Sequence, residues 1–439
     1  MTNAPAKAPE EQIESIQVEE SARGRFGSII REMEIDTRML GMILALLVIW
    51  IGFHFWSGKG SWSNGTFLTA RNLWNLSVQT AAVGIMATGM VLVIVSRNID
   101  LSVGSMLAVL GMAMAMLQAE ILPDYLDFGS PWIWVISLAA GIVMGAVLGA
   151  FQGVIIAHVG VPSFIVTLGG LLVWRGAAWM MASGRTIAPM DATFQLLGGG
   201  ARGTIGATWS WVVGVLAAVG IVVLLINNRR QRIRYGFHVR PRWADYSIGV
   251  FSIAVVLGAV GYLNSYLLPP RLAEQRGGGD IAFGLANPVL IAIAVVLAIT
   301  FIATRLRFGR YVYAIGGNPE AAELAGIKTK ATIVKTFALM GILVGIGAAV
   351  QVARLNAAVS GLGQLTELYV IAAAVIGGTS LSGGIGTIPG AMLGALVMQS
   401  LQSGMALVGV ETAAQDIAVG VVLVVAVAFD TVYRRRSAA

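Results

Sequence analysis

The sequence predicts an all-α polytopic membrane protein with about twelve transmembrane helices and both termini in the cytoplasm, and three observations predict it. Hydrophobic residues make up 57% of the 439 and charged residues only 12%, about half the charged share of a soluble domain. The apolar residues fall in blocks of about twenty, the length a helix needs to cross roughly 30 Å of hydrocarbon. Lys and Arg are shared unevenly among the loops between blocks, as in proteins that keep basic loops inside.

Residues 1–38 read as a cytoplasmic polar tail, acidic from Glu10 to Glu20 and then basic at Arg23, Arg25, Arg31 and Arg38. A cleaved signal would bring its apolar core earlier, so the run from Met39 is the first span. The membrane domain covers residues 39–432. Its spans are Met39–Ser57, Asn72–Val95, Leu101–Ala119, Trp132–His158, Ser163–Ala182, Thr208–Ile226, Ser247–Leu268, Asn287–Thr304, Thr332–Ala353, Glu367–Gly378, Ile388–Val410 and Asp416–Val432. The tenth is half a normal span, so it reads as a broken or re-entrant helix whose backbone ends protein or water must cover. Residues 433–439 form a basic tail. With the amino terminus inside, 20 of the 29 Lys and Arg lie in cytoplasmic segments and seven on the opposite side, with Arg175 and Lys335 inside spans.

Composition excludes much chemistry. The chain has no cysteine, and its three histidines stand far apart, which predicts no disulfide, no thiol nucleophile and no metal site. The net charge of +7 is dispersed among apolar segments, unlike the basic stripe of a nucleic-acid-binding domain. The Gly58–Lys59 pair is followed by Gly60, so no phosphate loop forms there. With no catalytic constellation, the chain reads as a channel or carrier and not as an enzyme. Ion-driven carriers place ionisable groups deep in the bundle, whereas Asp100, Glu367, Asp416 and Asp430 fall at span ends. That leaves no buried carboxylate to couple an ion, and predicts that a partner supplies the energy.

Several residues stand out as candidates. Glycine occurs 55 times, against about 31 expected at the average 7%. Gly141, Gly145, Gly149 and Gly153 recur every fourth residue, as do Gly341 and Gly345, and Gly386, Gly390 and Gly394. Such rows let helix backbones approach closely, as fixed packing or as sliding surfaces. Asn72, Asn75 and Gln79 share one face of span 2, where amides either tie helices together or line a path for a hydroxyl-rich solute, for which Asn75 and Gln79 suit best. Asp100 and Ser102 precede span 3 as a cap favoured by the helix dipole or as part of a gate. Arg175 either snorkels outward or belongs to the pathway. The loop from Gly377 to Gly386, with Gly377, Gly378, Ser380, Gly383 and Gly384, reads equally as a gate or a turn. Trp50, Trp56, Trp62, Trp132, Trp134, Trp209 and Trp211 read as an interfacial belt, and NNRRQRIRYGFHVRPRW as an inside anchor or a contact with anionic lipid or another subunit.

The loop after span 8 looks built to meet a partner. Asn318 is a good N-cap, Pro319 suits the first helical position, Glu320 complements the positive helix start, and Gly326 supplies the stop. The spacing predicts a helix from Pro319 to Ala325, too short to stand without an external docking surface.

The string GNPEAAELAGI, carrying Asn318, Pro319, Glu320, Ala321, Ala322 and Gly326, resembles the coupling segment of ATP-binding-cassette importer permeases, which docks into a groove on the ATPase subunit. Three further stretches, Asn72–Ser105, Val161–Ile187 and Ile371–Leu396, are similar to the sugar-importer permeases of ribose, xylose and arabinose type. The similarity runs from Asn72 to Asp430, and extra length attributed to spans 7 and 8 with the basic loop before them looks like the xylose branch. The resemblance implies an inner-membrane permease with a cytoplasmic coupling helix within residues 316–327. It would work as a homodimer with two ATPase subunits and a periplasmic sugar-binding protein. ATP and Mg would be bound by the partner ATPase and no cofactor by this chain. D-xylose comes first among substrates. The alternatives are another sugar, a nucleoside or a branched-chain amino acid, an ion-coupled secondary transporter, or a scaffold that transports nothing.

Overall fold

A computed structural model describes residues 37–127, 129–274 and 278–438. The tail expected over residues 1–38 lies outside these, apart from Thr37 and Arg38 at the start of α1. All twelve apolar blocks are helices. In chain order they and the helices between them are α1 (Thr37–Ser57), α2 (Ala70–Val95), α3 (Val103–Met116), α4 (Pro131–Val154), α5 (Ser163–Ala182), α6 (Gly206–Arg234), α7 (Arg242–Asn264), α8 (Asn287–Arg305), α9 (Arg307–Gly317), α10 (Pro319–Leu324), α11 (Thr329–Leu355), α12 (Thr366–Ile376), α13 (Ile388–Leu407) and α14 (Thr412–Ala438). Nine helices among the described residues are long and apolar enough to cross a membrane; α12 and the stretch Thr412–Val425 are apolar but shorter. Gln399, Ser400 and Gln402 interrupt the apolar run of α13. The basic end expected as a tail continues α14 as helix to Ala438.

The described residues divide into two compact units, Trp211–Gly261 with residues 37–40, and the remainder. The larger unit is built around α2, which is buried along almost its whole length and packs on α8, α11, α12 and α13. The most extensive helix pair is α4 with α11. Here the glycine rows meet each other: a methyl group on Gly145 would lie 2.9 Å from the carbonyl carbon of Gly341, and one on Gly345 would lie 2.9 Å from the oxygen of Gly141. Gly153 faces the backbone of Val334 in the same way. Hydrocarbon gives helices little hydrophobic reason to associate, so backbone contact of this kind supplies the packing energy. The third row seats α13 on α12, with Gly390 against Gly377 and Gly394 against Ala373.

The shortness of α12 matches the broken helix expected there. It is buried from Thr366 to Val375 apart from Leu368, and its carboxyl end is satisfied by tight turns, Gly377 N–H to Ala373 at 2.9 Å and Thr379 N–H to Ala374 at 3.0 Å. Protein covers the backbone where water would otherwise be needed.

The smaller unit is the hairpin of α6 and α7. Gly214 packs on Val260, Gly249 on Leu225 and Gly261 on Trp211, and Arg229 forms an ion pair with Asp245. Spans 6 and 7 form the separate unit with the basic loop between them, while span 8, as α8, packs on α2.

Two expectations about polar residues change. Asp100 and Glu367 are both buried, with relative exposures of 1% and 7%. Charge scarcity therefore does not leave the bundle without a buried carboxylate, because a residue at a helix end is still covered where the end is packed. Most of the tryptophans at helix ends are exposed, as a belt requires, but Trp50 donates its ring N–H to Ser400 Oγ at 2.9 Å and joins α1 to α13.

Candidate coupling and pathway sites

The short helix α10 forms as its residues dictate. The Asn318 side chain accepts from Ala321 N–H at 3.0 Å, Pro319 takes the first position, and Glu320 lies in the first turn. At the other end Gly326 N–H reaches Glu323 at 2.9 Å and Ile327 N–H reaches Ala322 at 3.0 Å. These are the paired bonds of a Schellman cap, which needs the left-handed φ of +79° that Gly326 adopts. The helix ends at Leu324, one residue before the expected Ala325. Ala322 turns inward, and Leu324 stands 90% exposed, an isolated large apolar side chain offered outward.

What α10 is tied to emerges only in three dimensions. It follows α9, whose Val312, Ile315 and Gly316 are buried. Arg97, just past the end of α2, donates from Nε to the Gly316 carbonyl and from Nη2 to the Gly317 carbonyl, both at 2.7 Å. The glycine loop closes the junction: Gly384 N–H donates to the Val95 carbonyl at 2.9 Å, and Tyr313 donates its hydroxyl to the Gly386 carbonyl at 2.7 Å. Burial pushes the Tyr313 hydroxyl up from its ordinary value, so it remains a donor. A methyl group on Gly316 would lie 2.5 Å from Gly384 N, and one on Gly383 2.5 Å from Arg97 Cγ. Gly378, Gly383 and Gly384 all have left-handed φ, and buried Ser380 bonds Ser382 at 2.8 Å. The candidate gate residues thus form a tight turn that clamps the end of α2 to the helix preceding α10.

Beyond that end lies a buried polar knot. Asp100 Oδ1 accepts from Ser102 N–H at 2.9 Å and from Ser102 Oγ at 2.6 Å, and Gln152 Nε2 donates to Ser102 Oγ at 3.0 Å. Neither Asp100 nor Ser102 caps α3 in the expected way, since Ser102 makes no side-chain bond to the helix amides; they join α3 to α4 instead. Burial pushes the Asp100 carboxyl up from its ordinary range, with the Ser102 bonds opposing. Ile99 N–H reaches Ser163 Oγ at 3.3 Å and brings in α5.

Arg175 Nη1 donates to the carbonyls of Ser360 at 3.0 Å and Leu362 at 2.8 Å. It anchors the loop between α11 and α12.

At the opposite end of α2, the candidate amides separate. Asn72 Nδ2 donates to the Phe67 carbonyl at 2.8 Å and belongs to the turn. Asn75 lines a cavity of about 350 Å³ together with Gln195, Arg202, Arg354, Asn356 and the glycine run Gly198–Gly200. Asn75 and Gln79 are half-buried with no side-chain hydrogen bond among the described residues. Gln195, Arg354 and Asn356 were not candidates from sequence, because they come from loops and helix ends distant from α2. Arg97 and Gln152 were missed too; a lone amide within the glycine row of α4 was the available signal. Among the described residues no group of three or more His, Asp or Glu is placed to hold a metal ion.

A helix-packed membrane protein with a capped outward helix tied to its central span, and with a polar cavity at the far end of that span, has the parts of a transport subunit. The chain belongs to the family described as the permease component of branched-chain amino acid transport systems, whose model matches residues 72–427. It is 36% identical over 403 residues, 92% of this chain and 94% of the relative, to the xylose transport system permease protein of Escherichia coli strain K12. The Haemophilus influenzae strain Rd protein of the same name is 36% identical over 395 residues, 90% of this chain and 96% of the relative. The ribose import permease protein of Escherichia coli strain K12 is 32% identical over 364 residues, 83% and 87% of the two chains. No solved structure matches the chain. The protein is a permease subunit, a multi-pass protein of the inner membrane, and not an enzyme.

Proposed function

We propose that this chain is the membrane-spanning subunit of an ATP-driven monosaccharide importer, with D-xylose as substrate, and that it moves sugar from periplasm to cytoplasm by alternating access. The observation that carries the coupling part is the tie between α10 and the central helix. A push on the exposed Leu324 face passes through α9 to Gly316 and Gly317, and through the Arg97 guanidinium to the end of α2. The Arg97 bonds are charge-assisted and therefore among the stronger hydrogen bonds. The identity to xylose permeases over nine-tenths of both chains supports the choice of sugar.

In this reading a second copy of the chain completes the pathway, a separate ATPase holds ATP and Mg and receives α10, and a periplasmic sugar-binding protein delivers substrate. The basic loops and both termini face the cytoplasm. Asn75, Gln79 and the cavity beside them then open toward the periplasm, where amides and guanidinium groups bond sugar hydroxyls. Asp100, Ser102 and Arg175 support the path by holding α3, α4, α5 and the loop after α11 in place.

The test replaces Glu320 and Gly326 together with alanine. Membrane insertion should persist while sugar uptake falls relative to ATP hydrolysis by the assembled transporter; normal coupled uptake in that variant would overturn the assignment of α10.

A further inference from the structure

We infer that the cavity beside the amino-terminal end of α2 takes a monosaccharide acid, an aldonate or uronate whose carboxylate sits on Arg202 and Arg354 while its hydroxyls meet the surrounding amides. This deepens, and rests on, the reading of that cavity as the sugar's way in. The walls come from three places: Asn75 from α2, Gln195 and Arg202 from the segment between α5 and α6, and Arg354 and Asn356 from the end of α11. Gly198 seats that segment directly on the backbone of Ala353 and Arg354, where a methyl group would collide with Arg354 N. At about 350 Å³ the space is at the small end of ligand pockets, about 300–1,000 Å³.

The hydrogen-bonding capacity of the lining is lopsided. Neither the Arg202 nor the Arg354 guanidinium has a hydrogen bond or an ion pair among the described residues, and each carries five N–H donors and no acceptor. Asn356 Oδ1 accepts from Met190 N–H at 2.9 Å, which leaves Asn356 Nδ2 as a further donor. Gln195 Nε2 donates to the Met190 carbonyl at 2.8 Å, and its Oε1 remains to accept. No carboxylate lines the cavity among the described residues. Asp191, next to the lining in the chain, holds a turn instead, its Oδ1 accepting from Thr193 N–H at 2.9 Å and Phe194 N–H at 3.0 Å.

A neutral sugar presents hydroxyls that donate as well as accept, and here they would meet few acceptors. A carboxylate only accepts and matches the guanidinium fork, and two like charges on the wall of a cavity concentrate anions there. The amides select the rest of the ligand: Asn75 and Gln195 Oε1 accept hydroxyl protons, and Asn75 and Asn356 Nδ2 donate to hydroxyl oxygens. A simple anion, or a carboxylate on a protein side chain, would leave these amides without partners.

The test is equilibrium binding of radiolabelled D-xylonate to the purified full chain in phosphatidylcholine nanodiscs, with D-xylose and acetate as competitors. D-Xylonate should bind saturably and at least about tenfold tighter than either competitor, because each lacks one half of the recognised pattern and a hydrogen bond to a charged group is of that order. Its advantage over D-xylose should shrink at high salt. Arg354→Gln should weaken D-xylonate binding about tenfold or more, and Arg354→Lys should recover part of it. Arg185→Gln, at a residue that pairs with Glu120 outside the lining, should change little. Absence of saturable binding, equal binding of D-xylose or acetate, or undiminished binding in the glutamine variant would overturn the inference. If that variant fails to fold, the wild-type ranking of the three ligands decides by itself. Because neither an ATPase nor a binding protein takes part, D-xylonate that fails to bind while reconstituted D-xylose uptake proceeds counts against this inference alone. D-Xylonate binding without any ATP-driven uptake counts against the importer reading alone.

Discussion

The crossing of α4 and α11 gives a prediction with a magnitude. Replacing Gly145 with alanine puts a carbon 2.9 Å from the Gly341 carbonyl carbon, whereas carbon atoms pack best at about 3.5–4.0 Å. The two backbones must part by about 0.6–1.1 Å, and a gap of that size forfeits a quarter to a half of each dispersion contact across it. If the crossing makes as many contacts as one buried leucine, roughly 40–60 pairs at about 0.1–0.2 kcal/mol, the loss is about 1–6 kcal/mol. Measured overpacking costs narrow this to about 1–3 kcal/mol. Gly341→Ala should cost at least as much, because it meets the same crossing from the other side with its methyl closer, 2.6 Å from the Gly145 carbonyl carbon. The double variant should cost much less than the two combined, since the first methyl has already parted the helices. The assay is reversible unfolding of the purified protein in mixed micelles for wild type, both single variants and the double. Single costs below about 0.5 kcal/mol, or two full costs that add, would refute the account of direct backbone contact.

Other perturbations follow from the same contacts. Arg97 has a left-handed φ of +64°, so Arg97→Gly keeps the turn and removes only the clamp; uptake per ATP hydrolysed should fall, and Arg97→Lys should restore part of it by reaching one carbonyl. Gly326→Ala forces a side chain into a φ of +79° and should destabilise the α10 cap by about 1–2 kcal/mol, read as faster amide exchange at position 326 and at Ile327. Burial raises the Asp100 pKa, so the folded protein binds more protons than the unfolded one above the ordinary carboxylate value, about 3.9. Stability should therefore decline as pH rises from there through the raised value. Asp100→Asn keeps the acceptor for Ser102 and should remove that decline in thermal unfolding followed by tryptophan fluorescence.

Much of this was legible in the sequence because it is local. Cap and stop residues are read within a few positions, so α10 falls where Asn318 and Gly326 place it, and apolar block length marks the helices. The four-residue glycine spacing identified the rows but not their partners, since nothing in Gly145 names Gly341. The clamp of Arg97 on Gly316 and Gly317 was hidden for the same reason: it joins positions more than two hundred residues apart. Asp100 and Glu367 looked peripheral because they end apolar runs, and only the packing of α3, α4, α5 and α12 buries them. The hairpin of α6 and α7 was not legible because block counting cannot tell which neighbours pack on each other.

The energy source is the central claim. Reconstitution of the chain into vesicles with the proposed ATPase and sugar-binding protein, followed by uptake of labelled D-xylose, tests it most directly. The account predicts uptake that requires ATP and both partners and is indifferent to proton or sodium gradients; uptake driven by an ion gradient with the chain alone would contradict it.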